Sequence, residues 1–258
     1  MVLVTGDTHG EFFRFKSRNF PEGKTLTKDD IIIIAGDFGG IWSQSDEELY
    51  WLNWLADKPW TTCFIDGNHE NFTIIDQLTE ETKFGAPVGV VQCDNNNIYH
   101  LKRGNIYTFG EDNVFVFGGG LSIDKQYRTE GTSWWAREYP SVEELDRGWA
   151  NIINGQPIDY VISHVPPTSA MFRVSPFEGS YNKKFDVVSH HLQDMFLEIK
   201  NNPNFKKWYH GHMHYDLQCR EEFVGLHYEM IRLGANLKHY ETEMTEPLVW
   251  STYDEENN

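Results

Sequence analysis

Cysteine is scarce in this chain, and the three that occur, Cys63, Cys93 and Cys219, are far apart and odd in number. This spacing matches neither a disulfide framework nor a Cys-x-x-Cys zinc motif. We therefore expect buried structural thiols rather than a cysteine-based metal or redox site.

Long apolar runs are also missing. No stretch approaches the roughly 20 apolar residues that a helix needs to cross a bilayer. The opening residues, MVLVTGDTHG, show no basic segment ahead of an apolar core, which a secretory signal would have. The sequence therefore predicts a cytoplasmic protein with no membrane partner.

Positive charge is in deficit, with 22 lysines and arginines against 39 aspartates and glutamates, a formal net charge of −17 over 258 residues. Such a charge disfavours sequence-independent binding to nucleic acid or anionic lipid. Nucleic acid is expected as a partner only as an end or a short substrate. The net charge does not exclude a local cationic site, because bound metal ions invert the local electrostatic field.

Apolar runs of strand length do recur, and many are continuous, which is typical of strands covered on both faces. Helices are predicted from Ser45 to about Asp57, over Val142–Ile153 and over about Asp186–Lys200, the first two behind capping boxes, Ser45 with Glu48 and Ser141 with Glu144. Residues 98–120 and 216–235 are predicted as meanders. The predicted strands are Val2–Val4, Ile31–Ala35, Thr61–Ile65, Val88–Val91, Ile106–Phe109, Val114–Phe117, Tyr160–Ile162, Lys207–Tyr209 and Phe223–Tyr228.

This alternation predicts an α/β layered sandwich. The chain length suits one sizeable domain, which we expect over residues 1–250, followed by an acidic tail at 251–258.

Polar motifs follow the predicted strands: DTHG from Asp7, GDFGG from Gly36, GNHE from Gly67, a histidine at 164 and GHMH from Gly211. Ligands bind at the carboxyl ends of strands in sheets of this kind, so these loops should gather at one rim. The donors are nitrogen and oxygen without thiolate, which suits Mn, Fe or Zn. Seven candidates are too many for one ion with an open position and suit two ions: Asp7, His9, Asp37, Asn68, His164, His212 and His214.

The ordered motifs DxHG, GDxxG, GNHE, a lone histidine and GHxH, spread over residues 7–214, resemble the signature of the calcineurin-like metallophosphoesterase superfamily, in particular its small bacterial and phage-type members. The resemblance implies a four-layer α/β/β/α sandwich with two mixed sheets. It also implies two divalent ions, with Mn expected and Fe, Zn or Ni as alternatives. One ion would bind Asp7, His9, Asp37 and His214, and the other Asp37, Asn68, His164 and His212, so that Asp37 bridges them.

The activity that the resemblance implies is hydrolysis of a phosphomonoester or phosphodiester, small or terminal, by in-line attack of a hydroxide that bridges the two ions. His69 would protonate the leaving oxygen, since an imidazole can give a proton near neutral pH.

The protein phosphatase branch carries one arginine just after its GDxx motif and another directly before GNHE, and this chain has neither. Gly40, Ile41 and Trp42 stand at the first position, and Asp66 stands at the second. A protein phosphatase is therefore a disfavoured alternative, and a non-catalytic scaffold on the same fold is another.

Residues 121–140, LSIDKQYRTEGTSWWAREYP, combine arginines with aromatic residues. One interpretation is a substrate-facing excursion in which Arg128 or Arg137 binds phosphate. The other is a packed surface segment with its tryptophans in the core. His210, the first histidine of YHGHMH, is interpreted as a core or ligand-supporting residue, because Gly211 interrupts the strand alternation.

Overall fold

The computed structural model describes residues 1–171 and 186–237, so the predicted tail at 251–258 lies outside the described residues. The strands are β1 Val2–Thr5, β2 Ile31–Ile34, β3 Thr61–Phe64, β4 Thr79–Lys83, β5 Ala86–Val91, β6 Ile98–Leu101, β7 Ile106–Phe109, β8 Asp112–Phe117, β9 Tyr160–Ser163, β10 Lys207–His210, β11 Leu217–Cys219, β12 Phe223–Gly225 and β13 Met230–Arg232. The helices are α1 Asp46–Ala56, α2 Phe72–Ile75, α3 Val142–Ile153, α4 Thr168–Met171 and α5 Val187–Ile199.

These strands form two mixed sheets. The first has the order β13-β1-β2-β3-β6-β5-β4, and the second has the order β11-β12-β10-β9-β8-β7. Each sheet has a parallel centre, β1-β2-β3-β6 in the first and β12-β10-β9-β8 in the second, with antiparallel strands at its edges. The predicted α/β fold with two mixed sheets is confirmed.

The layers can be read from β2, whose four isoleucines are all buried. Ile31 and Ile33 pack in the cluster between the two sheets, whereas Ile32 and Ile34 pack with Leu55 of α1 on the outer face. Alternate strand residues point to opposite faces, so a continuous apolar run is what a doubly covered strand requires.

The second sheet is covered in the same way. Ile162 of β9 joins the cluster between the sheets, and its neighbour Val161 packs with Leu192 and Met195 of α5. Helices therefore cover the outer face of each sheet, which completes the four layers. Within the described ranges no helix has the length and apolar character of a membrane span.

The two predicted capping boxes differ in outcome. Ser141 and Glu144 exchange both hydrogen bonds and begin α3 as predicted. Ser45 does cap α1 by accepting from the Glu48 backbone N–H, but the Glu48 carboxylate accepts from backbone N–H groups at 42–44 instead of Ser45. The chain before α1 folds back over the carboxylate, so that prediction was half wrong.

The two predicted meanders are wrong as continuous units. Strand β6 pairs with β3 and β5 in the first sheet, whereas β7 and β8 form a hairpin in the second. Strand β12 likewise stays in the second sheet, while β13 pairs with β1 in the first, and the predicted strand Phe223–Tyr228 ends at Gly225. Hydrophobic patterning identifies a strand but not the sheet that it joins.

Candidate metal centre

Five loops meet where the parallel strands of the two sheets end. The loops after β1 and β2 are joined by the His9 backbone N–H, which donates to Asp37 O at 2.8 Å. The loops after β9 and β10 are joined by the Gly211 N–H, which donates to His164 O at 3.0 Å. Direct backbone pairing of these loops brings side chains from residues 7 to 214 to one place.

The first group of donors consists of Asp7, His9 and His214, whose ligand atoms lie within 4.8 Å of one another. The Nε2 atoms of His9 and His214 are 3.0 Å apart, and His214 Nε2 is 3.0 Å from Asp7 Oδ2. Asp37 Oδ2 lies 3.8 Å from His9 Nε2. The four residues predicted for one ion therefore converge.

The second group surrounds His164 Nε2. This atom lies 3.1 Å from Asn68 Oδ1, 3.2 Å from His212 Nδ1 and 3.3 Å from Asp37 Oδ1. The four residues predicted for the other ion also converge, and Asp37 contributes one oxygen to each group. Asp7 stands near both groups as well, since its carboxylate lies within 4.8 Å of the ligand atoms of Asp37 and His164.

The backbone at these donors is strained. Four of the seven non-glycine residues with positive φ in the described chain are candidate ligands: His9 at 46°, Asp37 at 45°, His212 at 63° and His214 at 50°. Such conformations cost about 1–3 kcal/mol each and persist where surrounding structure enforces them, often at functional sites.

Three glycines provide the space that the donors occupy. A Cβ at Gly36 would lie 2.2 Å from His164 Nδ1, one at Gly67 2.0 Å from Asp37 Oδ1, and one at Gly211 2.2 Å from Asp7 Oδ1. Each motif glycine thus makes room for a donor from a different motif. The contact is between loops and leaves no room for a methyl group.

The donor set fits divalent cations. Asp7 Oδ2 is buried, and no described residue gives it a hydrogen bond of normal geometry; the Nε2 atoms of His214 and His9 face it instead. Carboxylate, carboxamide and imidazole groups that converge in this way are the ligands that two hard or borderline cations require.

The surroundings of His164 and His212 favour the forms of these side chains that bind a cation. His164 Nδ1 donates to Ala35 O at 2.9 Å, which leaves Nε2 for a ligand. Burial would lower the pKa of His164, but the charges of Asp37 and Asp7 raise it, and the same charges favour a cation in the proton's place. Burial lowers the pKa of His212 to about 3, which keeps that imidazole in the neutral, metal-binding form.

His69 lies beside the second group without joining it. Its backbone N–H donates to Asp37 Oδ1 at 2.8 Å, and its ring centroid is 5.5 Å from that of His9. Burial lowers the pKa of His69; the charge of Asp37 raises it, and the charge of Arg128 lowers it further. Arg128 Nη1 lies 3.2 Å from His69 Nδ1. Arg128, predicted to face substrate, therefore does reach the site.

Arg137 is placed differently. Its guanidinium binds Glu144 at 2.8 and 3.1 Å and Asp76 at 3.3 Å, and none of its described contacts is with a candidate ligand. Within residues 121–140, Trp135 is buried, as in a packed segment, and Arg128 contacts His69, whereas phosphate binding by either arginine stays a prediction. His210 is buried and hydrogen-bonded to Gly211 O, a core position as interpreted.

Several supporting residues carry no motif and escaped sequence reasoning. Ser122 Oγ accepts from Asn68 Nδ2 at 3.2 Å. Arg14 Nη2 donates to Asp7 O at 2.6 Å, and the His227 ring stacks on that of His214 at 4.7 Å. Arg103 binds the Asp66 carboxylate just ahead of GNHE. These contacts join distant parts of the chain, so no local signal could have revealed them.

A family model described as calcineurin-like phosphoesterase matches residues 1–216. The match spans all seven candidate ligands together with His69 and covers most of the chain. A search of curated proteins finds no match.

Proposed function

The chain belongs to the calcineurin-like phosphoesterase family, and on this premise we propose that it hydrolyses a phosphomonoester or phosphodiester at two divalent cations held by the seven candidate ligands. The observation that carries the proposal is the convergence of two donor groups that share Asp37. When bound, a cation pair supplies an activated water and neutralises charge that develops on the phosphoryl oxygens.

The protein groups divide the remaining work. Asp37 lies between the two donor groups, and its Oδ1 also accepts the His69 N–H, so one carboxylate orients both the ligands and the proposed acid. Ala35 O holds the His164 ring with Nε2 toward the site. The hydrogen bond from Gly211 N–H to His164 O keeps the loops after β9 and β10 in contact.

His69 is the proposed donor of a proton to the leaving oxygen. A guanidinium only donates hydrogen bonds, so the contact with Arg128 makes Nδ1 the acceptor and leaves the ring hydrogen on Nε2. Nε2 is then the atom that a leaving oxygen would meet. Positioned acid catalysis of this kind contributes about 10²–10⁴ in rate.

Arg128 is the proposed contact for a phosphoryl oxygen. Its Nε lies 2.8 Å from Asp124 Oδ1 and its Nη1 donates to Ser133 O, so the guanidinium is held in place beside His69. Asp66, which stands where the protein phosphatases carry an arginine, is buried and bound to Arg103. We propose that residues 121–140 supply the cationic group from another direction.

The proposed substrate is small or terminal, because a net charge of −17 opposes long polyanions. Mn is the proposed native metal and the cytoplasm the proposed location, in line with the oxygen and nitrogen donors and the free cysteines.

The test is turnover of p-nitrophenyl phosphate and bis-p-nitrophenyl phosphate by protein stripped with EDTA and reloaded with Mn²⁺, next to Asp37→Asn treated identically. We expect Mn-dependent turnover that Asp37→Asn abolishes. Bound metal without turnover of either ester under any divalent ion would favour the scaffold, and selective turnover of a phosphopeptide panel would favour a protein phosphatase.

A further inference from the structure

Asn68 poses a problem of orientation that the other candidate ligands do not. Its carboxamide has an oxygen that can bind a cation and an NH₂ group that cannot, and the two ends have nearly the same shape. Asn68 is buried, so water does not select between the two orientations. Something in the protein must hold Oδ1, rather than Nδ2, toward His164.

Ser122 meets this requirement. Its Oγ accepts from Asn68 Nδ2 at 3.2 Å, while Asn68 Oδ1 lies 3.1 Å from His164 Nε2 on the other side. A flipped carboxamide would place an oxygen against the Ser122 oxygen and an NH₂ group against the His164 ring nitrogen. The orientation found gives Nδ2 an acceptor at Ser122 and leaves Oδ1 beside His164 Nε2, where both atoms could bind one cation.

Ser122 is itself held by a buried carboxylate. Its backbone N–H donates to Glu138 Oε2 at 3.1 Å. Burial raises the pKa of Glu138, and the Ser122 side chain acts with this N–H to lower it by a smaller amount. Both residues are buried, Glu138 completely. The Ser122 hydroxyl has two lone pairs, so Oγ can accept from Asn68 Nδ2 while its backbone N–H is held by Glu138.

These contacts attach both ends of the 121–140 segment to the site. Ser122 stands at its start and Glu138 near its end, and the preceding Gly120 lies so close that a Cβ there would be 3.3 Å from Asn68 Oδ1. The segment that presents Arg128 to His69 is therefore also the segment that touches Asn68.

We propose that Ser122 is a positioning residue for Asn68, which fixes the carboxamide with its oxygen toward the cation site formed with Asp37, His164 and His212. The inference rests on the proposed function, since it assigns a role toward the same cations. It predicts that Ser122 sets the affinity of that site while leaving the site of Asp7, His9 and His214 nearly unchanged.

The experiment is calorimetric titration of metal-free protein with Mn²⁺ for the wild type, Ser122→Ala and Ser122→Thr. We expect two bound ions in the wild type and a loss of about 10- to 100-fold in the affinity of one site in Ser122→Ala, the usual effect of removing a group that orients a ligand. Ser122→Thr keeps the acceptor and should restore most of the affinity. Ser189→Ala removes a buried serine on α5 and should bind as the wild type.

A double-mutant cycle separates orientation from general damage. In Asn68→Asp both side-chain ends are oxygen, so orientation no longer matters and adding Ser122→Ala should have little further effect. Equal losses in the Asn68 and Asn68→Asp backgrounds, or an unchanged affinity in Ser122→Ala, would overturn the inference while the proposed function stood. A wild type that binds no Mn²⁺ would remove the proposed function and this inference with it.

Discussion

Replacing Gly67 by alanine adds one methyl group at the centre of the candidate site. The new Cβ would lie 2.0 Å from Asp37 Oδ1 and 2.4 Å from Asp37 N, both far inside the ~3.5–4.0 Å of a normal contact. The Asp37 carboxylate must therefore retreat by more than about 1 Å, whereas metal–ligand distances tolerate about 0.2 Å. The Asp37 Oδ1 contact with the His69 N–H, 2.8 Å long, would be disturbed by the same shift.

We expect Gly67→Ala to bind fewer than two Mn²⁺ per chain and to lose at least about 10² in kcat/KM on bis-p-nitrophenyl phosphate, the scale of a 1 Å misplacement. The unfolding free energy should fall by about 1–3 kcal/mol, as overpacking of a filled interior usually causes. Elemental analysis after dialysis measures bound Mn²⁺, steady-state turnover of the ester measures kcat/KM, and urea unfolding measures the unfolding free energy.

Gly110→Ala is the matched control. Gly110 has a φ of +66°, so alanine there is strained by about 1–2 kcal/mol, but its Cβ would meet nothing within 4 Å. This variant should lose comparable stability while keeping both ions and its activity. If Gly67→Ala retained two Mn²⁺ and wild-type turnover, the reasoning from loop contact to ligand geometry would be refuted.

Three further predictions concern individual side chains. His69→Ala should slow esters with poor leaving groups by about 10²–10⁴-fold and p-nitrophenyl esters far less, and equal losses on both would contradict the assignment of His69 as the acid. Arg128→Ala should lower kcat/KM by about 10- to 100-fold, the worth of one charged hydrogen bond, with Arg128→Lys recovering only part; unchanged values on a phosphomonoester and a phosphodiester would reject substrate contact. Burial raises the pKa of Glu144, but the charges of Arg103 and Arg137 outweigh burial and lower this pKa below its ordinary value of 4.5. The ionised carboxylate therefore stabilises the fold fully above pH 4.5, and this stabilisation is lost as the pH falls through the lowered pKa. Glu144→Gln should therefore be less stable by about 1–3 kcal/mol at pH 7 in urea unfolding, with the difference shrinking below pH 4.5, and a constant difference at all pH values would contradict this reasoning.

Much of the site was determined by the sequence alone, because the relevant information is local. A polar motif directly after an apolar run marks the carboxyl end of a strand, and parallel strands bring such ends together. On that basis the seven donors were predicted from motif order, and the structure brings them to one place, although their role as ligands stays a prediction. The alternation of strands and helices predicts the α/β sandwich, whereas its two mixed sheets were implied by the family resemblance.

Other features were decided only by tertiary structure, because they depend on contacts between distant residues. Strand patterning could not say that the chain changes sheets between β6 and β7, since both strands are equally apolar. The Ser122 contact with Asn68 spans 54 residues, and a lone serine in a loop gives no local sign of it. The motif sequences also do not show that Gly36, Gly67 and Gly211 each make room for a donor from another loop, which is a property of the packing.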